Sequence, residues 1–465
     1  MPVEYYFYIV LYAIWIAIVF KNLKFSILLL PLFFPMYLVR FDVFGVPIYF
    51  VEGLILISAI PLFIGKITGQ YEMNERGFLG KIIHTARVLV TPRKQQFLDF
   101  LKSYALPVVL FLIACCVSVL TAQGDASALH SLGIMKSWVV IPIIYFYILM
   151  SAIRDKRDLN FTMYAYLGSA IFLSLWGLFQ AVTKQYLTID ARVSGPFESA
   201  NYLAIYLAPA LIFASVRFIQ TFLISAFNPA GKRWNILERR VFISFAVAII
   251  FMAMVLSQSY GGLLGVFVVL LIYILIERFR ASAKEIKRFF NRILLAILLI
   301  VVIGGGMAAS LNIEKFQNLT RFDEHTSIAT RLEIWQVGGQ LIKENPLLGI
   351  GLGNYQKNYN ERAEEILGKK PLEETRLHSH NVFMETWLNA GLLGVVSFVW
   401  LIVLAYFQIK KVKNKEDQFM LYAGIAMLTY IVIHGLIDVT FWKNDLALVF
   451  WLIMGVNFSL TKKDV

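Results

Sequence analysis

Long uninterrupted runs of apolar residues are the feature of this sequence that most restricts its fold. A helix needs about 20 apolar residues to cross the hydrocarbon core of a bilayer, and runs near that length recur along the whole chain of 465 residues. Backbone polar groups find no water in lipid, so each spanning run is expected to be a helix. Hydrophobic residues make up 59% of the chain and charged residues only 16%, which excludes an ordinary soluble protein of this length.

Thirteen segments are candidate membrane spans, or twelve if one of the two short initial segments does not cross. They are residues 5–20, 24–39, 47–65, 105–122, 136–153, 161–181, 201–220, 241–257, 261–276, 293–310, 381–409, 419–437 and 446–460. The sequence therefore predicts an all-α polytopic membrane protein with 12–13 transmembrane helices. It also leaves one long connection, residues 311–380, between the tenth and eleventh segments.

The positive charges lie mainly on one side of these segments. The net charge is +13, and 29 of the 43 Lys and Arg residues fall in alternate connections and the tail, namely 21–24, 66–104, 154–159, 217–240, 277–292, 410–418 and 461–465. This positive-inside pattern predicts a cytoplasmic C-terminus and an extracytoplasmic 311–380 loop. The predicted division is residues 1–310 and 381–465 in the membrane and 311–380 outside it. The charge is explained by topology and contact with membrane lipid, so no nucleic-acid partner is expected.

The cysteine content argues against disulfides and cysteine-ligated metal. Cys115 and Cys116 are the two cysteines of the chain, and they are adjacent within an apolar run. Adjacent cysteines rarely pair with each other. The predicted cytoplasmic connections also contain no glycine-rich phosphate loop, so an ATP-driven reaction is not expected.

A short predicted outer loop before the seventh span contains the first candidate functional residue, Arg192. Gly195-Pro196 forces a turn, and Asn201 then opens the next helix. An interfacial anchor is the simpler interpretation of a lone arginine at this position. The functional alternative is that the turn directs Arg192 towards a cavity.

The long outer loop contains a second candidate, Arg331, near the start of a predicted helix. Thr330 is a plausible N-cap with Glu333 three residues later, as in a capping box. A cation in the first turn is unfavourable against the helix dipole, so another use for Arg331 is expected. Arg321 is a second cation nearby.

That predicted helix stops before Asn345-Pro346 and is followed by a glycine run that includes Gly349 and Gly351. The run has the composition of a phosphate loop, but it lacks a preceding strand and a following Lys-Ser/Thr pair. A tight turn packed at the membrane surface is the preferred interpretation.

The third candidate is the sequence His378-Ser379-His380-Asn381, directly before the eleventh span. A neutral histidine there is suited to general-base catalysis. The structural alternative is an interfacial polar cluster with Ser379 or Asn381 as the helix cap. Two histidines also suggest a metal, but no neighbouring acid in the sequence completes a ligand set, so no metal is predicted.

A fourth, weaker candidate is the pair His434 and Asp438 near the outer end of the twelfth span. Residues four apart lie on one face of a helix, and ionisable groups in a span are functional candidates. A structural pair that pins two helices together is the alternative.

In order along the chain, these motifs resemble the bacterial O-antigen ligase and polymerase superfamily of lipid-linked glycan transferases. The resemblance covers about residues 105–460 and rests on four stretches, at 192–201, 330–335, 345–355 and 378–394. It implies a membrane glycosyltransferase fold of the GT-C-like class, with a large periplasmic loop. Each motif alone is loose, but four in order on the predicted outer side are specific for the superfamily.

The resemblance also implies a reaction and its residues. A metal-independent enzyme without cofactor would move a glycan from undecaprenyl diphosphate to an acceptor sugar hydroxyl, at the outer face of the cytoplasmic (inner) membrane. Arg192 and Arg331 would bind the donor diphosphate, and His380, with His378 as second candidate, would be catalytic. The supporting residues would be Asn201, Tyr260, Gly349, Gly351, Asn381 and Asp438.

One position departs from the superfamily pattern. The family often has Ser-Arg-Gly between the eighth and ninth spans, where this chain reads Ser259-Tyr260-Gly261. One diphosphate contact is therefore missing or supplied elsewhere, and Arg321 is the candidate substitute. The departure puts the donor or subfamily in doubt more than the reaction class.

Two other functions remain open from the sequence. A polymerase of the same superfamily would use another lipid-linked glycan as acceptor instead of a separate glycolipid. A transporter or flippase for lipid-linked glycans would be expected to have paired charges deep in many spans or related halves, and the sequence has few such charges and no repeat. A purely structural scaffold would leave the outer arginines and histidines unexplained.

Overall fold

The computed structural model describes residues 3–43, 46–68, 104, 106–120, 125–227, 233–280, 284, 286–295, 327–374, 377–407 and 415–460. Within these ranges the chain is almost entirely helical, and its strands form one antiparallel hairpin. Strand β1 (Arg40–Val43) pairs with β2 (Val46–Tyr49) in the register Arg40 to Tyr49. The predicted all-α membrane architecture is thus confirmed, although the third predicted span, 47–65, begins within the hairpin.

The helices follow the apolar runs closely. In chain order they are α1 (Val3–Lys21), α2 (Leu23–Leu29, continued by a 3₁₀ helix Leu30–Leu38), α3 (Phe50–Thr68), α4 (Leu106–Leu120), α5 (Asp125–Ile134), α6 (Ile141–Ala152), α7 (Lys156–Thr183), α8 (Ala200–Phe227), α9 (Arg233–Leu256), α10 (Tyr260–Arg280), α11 (Ser327–Glu344), α12 (Tyr355–Leu367), α13 (Val382–Phe407), α14 (Lys415–His434) and α15 (Asn444–Ser459). A π-helical stretch, Met135–Val140, joins α5 to α6.

Six of these helical segments are long and apolar enough to cross a membrane: Ala128–Ala152, Lys156–Thr183, Ala200–Thr221, Leu237–Leu256, Tyr260–Arg280 and Val382–Phe407. Six shorter apolar helices accompany them. Together these twelve coincide with twelve of the thirteen predicted spans. The remaining one, 293–310, lies mostly outside the described residues. The chain is a multi-pass membrane protein.

The long predicted outer segment contains two helices that pack on each other. Ile334, Val337 and Leu341 of α11 meet Tyr355 and Tyr359 of α12 in a small, separate apolar cluster. Leu388 of α13 joins this cluster and thereby ties it to the membrane helices. All six side chains are buried, and the Tyr355 hydroxyl donates to the Ile334 carbonyl at 3.0 Å.

Helix α11 ends before Asn345, as predicted, but it begins earlier than expected. It starts at Ser327, so Thr330 lies inside the helix and is not its N-cap. Glu333, the expected partner in a capping box, instead contacts Lys369 at 2.6 Å and accepts the Leu372 N–H at 2.9 Å. Long-range contacts to the segment after α12 therefore replace the predicted local motif.

The glycine run after α11 fills a break in α13. Gly391 interrupts α13 with φ 65° and ψ −169°, which leaves backbone groups of that helix without helical partners. The loop supplies them, since the Ile350 N–H donates to Leu388 O (2.8 Å) and the Leu392 N–H donates to Leu347 O (3.2 Å). The run is thus a tight turn, as the sequence favoured, and it packs on α13.

Glycine is required at two positions of this junction. Gly349 has a φ of +72°, and a Cβ there would overlap the carbonyl oxygens of Trp387 and Leu388. A Cβ on Gly391 would likewise overlap the Leu347 carbonyl. Gly351 also has a positive φ, 94°, which side chains disfavour.

Candidate active site

The histidine segment before α13 is bonded to the turn that follows α14. Asn381 caps α13, because its Oδ1 accepts the N–H groups of Phe383 and Met384, both at 3.0 Å. Its Nδ2 donates to the Leu436 carbonyl at 3.0 Å, and the Val382 N–H donates to Gly435 O at 2.7 Å. The histidine segment and the His434–Asp438 segment, which the sequence offered as separate candidates, therefore belong to one site.

His380 and Asp438 form the polar centre of this site. The His380 Nδ1 lies 3.2 Å from Asp438 Oδ1, and the same oxygen accepts the Val439 N–H at 2.9 Å. His380 has a φ of +50°, a backbone region that side chains rarely adopt. Local strain of this kind often occurs at functional positions, where surrounding contacts hold it.

The position of Asp438 corrects one prediction. Helix α14 ends at His434, so Asp438 lies in the following turn and the two do not share a helix face in the expected way. The turn is fixed by the Thr440 hydroxyl, which donates to Ile431 O at 2.9 Å. Asp438 is consequently directed at His380, and its side chain is only 4% exposed.

The electrostatics of the pair determine which ring nitrogen is basic. Burial disfavours the charged form of Asp438, but the hydrogen bond with His380 and the nearby imidazoles outweigh it, so the pKa of Asp438 lies below its usual range. An ionised carboxylate only accepts hydrogen bonds. The Nδ1 of neutral His380 therefore carries the proton, and Nε2 is left as the acceptor.

His378 lies beside this pair. The two imidazole centroids are 4.4 Å apart in an edge-to-face arrangement, and the potential ligand atoms of His378, His380 and Asp438 all lie within 4.8 Å of one another. The sequence argument that no acid completes a metal-ligand set is therefore wrong, because Asp438 reaches the histidines from a distant segment. These three residues are the ones that would hold a metal ion.

Arg192 connects three segments at one edge of the site. Its Nε donates to the Ser257 carbonyl at 2.8 Å, and its Nη2 donates to Asn201 Oδ1 at 2.9 Å. Nη1 lies 3.3 Å from the Asp190 carboxylate. The guanidinium is thus held by the Ser257–Tyr260 loop and the start of α8, which is more than a lone interfacial anchor requires.

Arg331 approaches from the long predicted outer segment. Its Nε donates to the Ile437 carbonyl at 3.0 Å, directly beside Asp438 in the chain. Its position in the second turn of α11, and not the first, lessens the expected conflict with the helix dipole. Arg331 and Arg192 therefore reach the same site from two segments that lie far apart in the sequence.

A cavity of about 450 Å³ opens at this site. Its polar lining includes Glu198, Asn201, Gln356, His378, His380 and Asp438. Four separate segments thus contribute: the loop and start of α8, α12, the histidine segment, and the α14–α15 turn. Arg192 and Arg331 do not line the cavity but bond to Asn201 and to the residue preceding Asp438.

A buried lysine behind the cavity wall was missed in the sequence. The Lys443 Nζ lies 3.5 Å from the centroid of the Tyr202 ring and 4.0 Å from Glu198 Oε2. Burial lowers the pKa of Lys443, although Asp445 and Glu198 oppose this shift. The signal in the sequence was a charged pair, Lys443 and Asp445, next to an apolar run.

Glu385 is a second functional candidate that sequence reasoning missed. Its Oε2 accepts the Ser379 N–H at 2.8 Å, and its Oε1 accepts Asn389 Nδ2 at 3.1 Å. It therefore fixes the backbone between the two histidines from inside α13. An acidic residue four positions after Asn381 in an apolar helix was the available signal.

The remaining predicted residues are less directly involved or not described. Tyr260 begins α10 and is 52% exposed, and Ser257, three residues earlier, supplies the carbonyl that holds Arg192. Gly349 and Gly351 belong to the turn packed on α13. Arg321 lies outside the described residues, so the suggested replacement of the family arginine stays a prediction.

Comparison with known proteins agrees with the resemblance seen in the sequence. Residues 245–399 match the family described as O-antigen ligase. A putative polysaccharide ligase of Rickettsia conorii is 31% identical over 134 residues, covering 28% of this chain and 30% of the relative. The exopolysaccharide production protein ExoQ of Rhizobium meliloti is 26% identical over 117 residues, covering 24% and 27%.

An uncharacterized protein of Haemophilus influenzae is 27% identical over 206 residues, which is 41% of this chain and 48% of the relative. The chain thus spans less than half of the length of these curated relatives. The family match contains Arg331 and His380, whereas Arg192 and Asp438 lie outside it.

Proposed function

We propose that this chain, whose residues 245–399 match the O-antigen ligase family, transfers a glycan from undecaprenyl diphosphate to an acceptor sugar hydroxyl. The observation that carries the proposal is the His380–Asp438 pair, which lines a cavity. Arg192 bonds Asn201 in the wall of this cavity, and Arg331 bonds Ile437, the residue before Asp438. The proposed location is the outer face of the cytoplasmic membrane, with the 311–380 segment outside and the C-terminus inside. Residues 1–310 and 381–465 would then form the membrane body.

Arg192 and Arg331 would hold the donor diphosphate. Guanidinium groups match phosphate geometry and stay charged, so two of them stabilise the negative charge that develops on the leaving group. Both are oriented by backbone carbonyls, of Ser257 and Ile437, so their positions are fixed before the donor binds. Preorganisation of this kind avoids a reorganisation cost during the reaction.

The cavity beside them is better suited to the acceptor. Its lining includes two carboxylates, Glu198 and Asp438, together with the amides of Asn201 and Gln356. Carboxylates repel a diphosphate but accept hydrogen bonds from sugar hydroxyls. The charge distribution thus supports a donor on the arginine side and an acceptor sugar on the histidine side.

The proposed chemical step needs one base. The acceptor hydroxyl gives its proton to Nε2 of His380, and its oxygen forms a bond to the anomeric carbon of the donor glycan. The bond between that carbon and the phosphate oxygen breaks, and the diphosphate leaves with the electron pair. Asp438 stabilises the imidazolium that forms, as a buried carboxylate does in serine hydrolases.

A reconstituted transfer assay tests this proposal. Purified protein in liposomes is given an undecaprenyl diphosphate-linked oligosaccharide and a glycolipid acceptor, and products are separated by mass. The proposal expects glycan on the second lipid, at a rate that a chelator does not change. Activity that is lost with a chelator and restored by Zn²⁺ would instead assign His378, His380 and Asp438 to a metal.

The same assay separates the second candidate function, a polymerase. The name of the ExoQ relative, an exopolysaccharide production protein, favours testing it. A polymerase would lengthen the glycan on its own carrier when no glycolipid acceptor is present. Movement of the donor across the bilayer without transfer would instead identify a transporter and contradict the proposal.

A further inference from the structure

A second charged cavity lies among α7, α8 and α9, away from the histidines. Its volume is about 490 Å³, and its polar lining consists of Arg157, Asn160, Tyr164, Arg217, Glu238 and Arg239. Three guanidinium groups therefore face one space that contains a single carboxylate, that of Glu238. A smaller adjoining cavity shares Asn160, Arg217 and Arg239 and adds Lys156.

This cavity is at the other end of the helices that carry the candidate active site. Arg217 lies sixteen residues along α8 from Asn201, which corresponds to about 24 Å of helix at about 1.5 Å per residue. Arg239 lies near the start of α9, eighteen residues or about 27 Å before Ser257. These separations approach the roughly 30 Å hydrocarbon thickness of a bilayer, so the two cavities lie at opposite membrane faces.

Two polar atoms in the cavity wall have no hydrogen-bond partner within the part of the chain that the structure describes. Arg217 donates from Nη1 to Gln220 Oε1 at 2.6 Å, but its Nε is buried with no hydrogen-bond partner among the described residues. The Asn160 Oδ1 is in the same situation within the described part of the chain. A buried polar atom without a partner is costly, so a bound polar group would satisfy the site.

An apolar surface leads away from the charged cavity. Phe242 lines the cavity and is 46% exposed, and Val241 and Phe245 of the same helix are 62% and 50% exposed. In a membrane this surface contacts lipid chains. A free anion would use only the charged part, whereas a lipid would use both.

We propose that this cavity binds the phosphate headgroup of an anionic phospholipid, with its acyl chains along the exposed face of α9. Arg217 and Arg239 bind the phosphate, and Arg157 adds to the positive potential. Glu238 lies at the same cavity and limits its net charge, so one phosphate group is better matched than a polyphosphate. The site is independent of the glycan-transfer reaction.

Native mass spectrometry of the full-length protein tests the proposal. The protein is reconstituted in phosphatidylcholine nanodiscs with or without phosphatidylglycerol and then released from them. We expect one phosphatidylglycerol to remain bound while phosphatidylcholine does not. We expect Arg217→Gln and Arg239→Gln each to reduce the bound fraction about tenfold, the effect of losing one charged hydrogen bond.

Arg278→Gln is the matched control, because Arg278 is a partly exposed arginine near the C-terminal end of α10 and bonds Asn291 at 2.7 Å. It should leave the retained lipid unchanged. Arg239 is itself exposed, so the Arg239→Gln variant should fold even if Arg217→Gln does not. Equal loss in the control, or retention unchanged in Arg239→Gln, would overturn the proposal. Release of the lipid by inorganic phosphate at equal concentration would overturn its lipid part and identify a free-anion site.

Discussion

The His380 imidazole Nδ1 lies 3.2 Å from the Asp438 carboxylate, although 58 residues separate them in the chain. Asn381 and Val382 bond to the backbone at Leu436 and Gly435, so the two segments are held together directly beside this contact. The backbone of the fold therefore holds the two side chains of the pair in place. This contact gives His380 a defined tautomer with Nε2 as the acceptor.

Removal of the base should abolish most transfer. General-base catalysis contributes about 10²–10⁴-fold, so His380→Ala should lower kcat by that range with little change in the amount of folded protein. Asp438→Asn should cause a smaller loss, because the imidazole remains but loses its orienting carboxylate. The comparison is His130→Ala, an exposed histidine outside the cavity, which should transfer normally. Equal activity of His380→Ala and His130→Ala would contradict the assigned role.

The pH dependence of stability should reflect the buried Asp438 carboxylate. Burial opposes its ionisation, but the hydrogen bond with His380 and the nearby imidazoles lower its pKa, so the stability from that ionisation is present at neutral pH and is lost when pH falls through the lowered value. Asp438→Asn removes this group, so the melting temperature in detergent should fall less between about pH 7 and about pH 3 in the variant than in the unchanged protein. An equal fall in both proteins would show that ionised Asp438 does not stabilise the site.

The sequence predicted the helices well and the site only in parts. Hydropathy and helix-ending residues are local properties of the sequence. The spans and the end of α11 before Asn345 could therefore be predicted from the sequence alone. The contact between His380 and Asp438 depends on how α13 and α14 pack, which no local pattern records. For the same reason the sequence offered Thr330 as a cap, whereas a packed segment after α12 decides what Glu333 contacts.

The two arginines should act mainly on the donor. Each charge-assisted hydrogen bond is worth about 1.5–3 kcal/mol, so Arg192→Gln and Arg331→Gln should each lower kcat/KM for the lipid-linked donor by about 10–100-fold. Arg362→Gln is the matched control, since Arg362 bonds Glu344 on the surface of α11 and α12. Initial rates at varied donor and fixed acceptor measure the effect. A change confined to the acceptor KM would show that the arginines bind the acceptor and not the donor.

The junction between the glycine turn and α13 should be essential for stability. Gly349→Ala places a side chain at a φ of +72° and against two backbone carbonyls. This change should lower the free energy of unfolding by about 1–3 kcal/mol. Gly339 lies inside α11, and a Cβ there would meet no atom of the described residues within 4 Å. Gly339→Ala should therefore raise the free energy of unfolding by about 0.5–1 kcal/mol, because alanine favours a helix interior over glycine. Thermal unfolding in detergent compares the two. Equal melting temperatures would mean that the turn does not support α13.

The charge of Glu198 should select the acceptor. It is 77% exposed at the cavity, with Lys443 Nζ 4.0 Å away, so it is available to accept hydroxyl hydrogen bonds and to repel acidic sugars. Glu198→Gln should raise the acceptor KM by up to about tenfold and should improve use of a uronic-acid acceptor relative to a neutral one. Glu361→Gln, an exposed change on the same helix as Gln356, is the control. Acceptor KM values and the neutral-to-acidic ratio are measured at saturating donor. An unchanged ratio would place the acceptor sugar away from Glu198, even if transfer itself is observed.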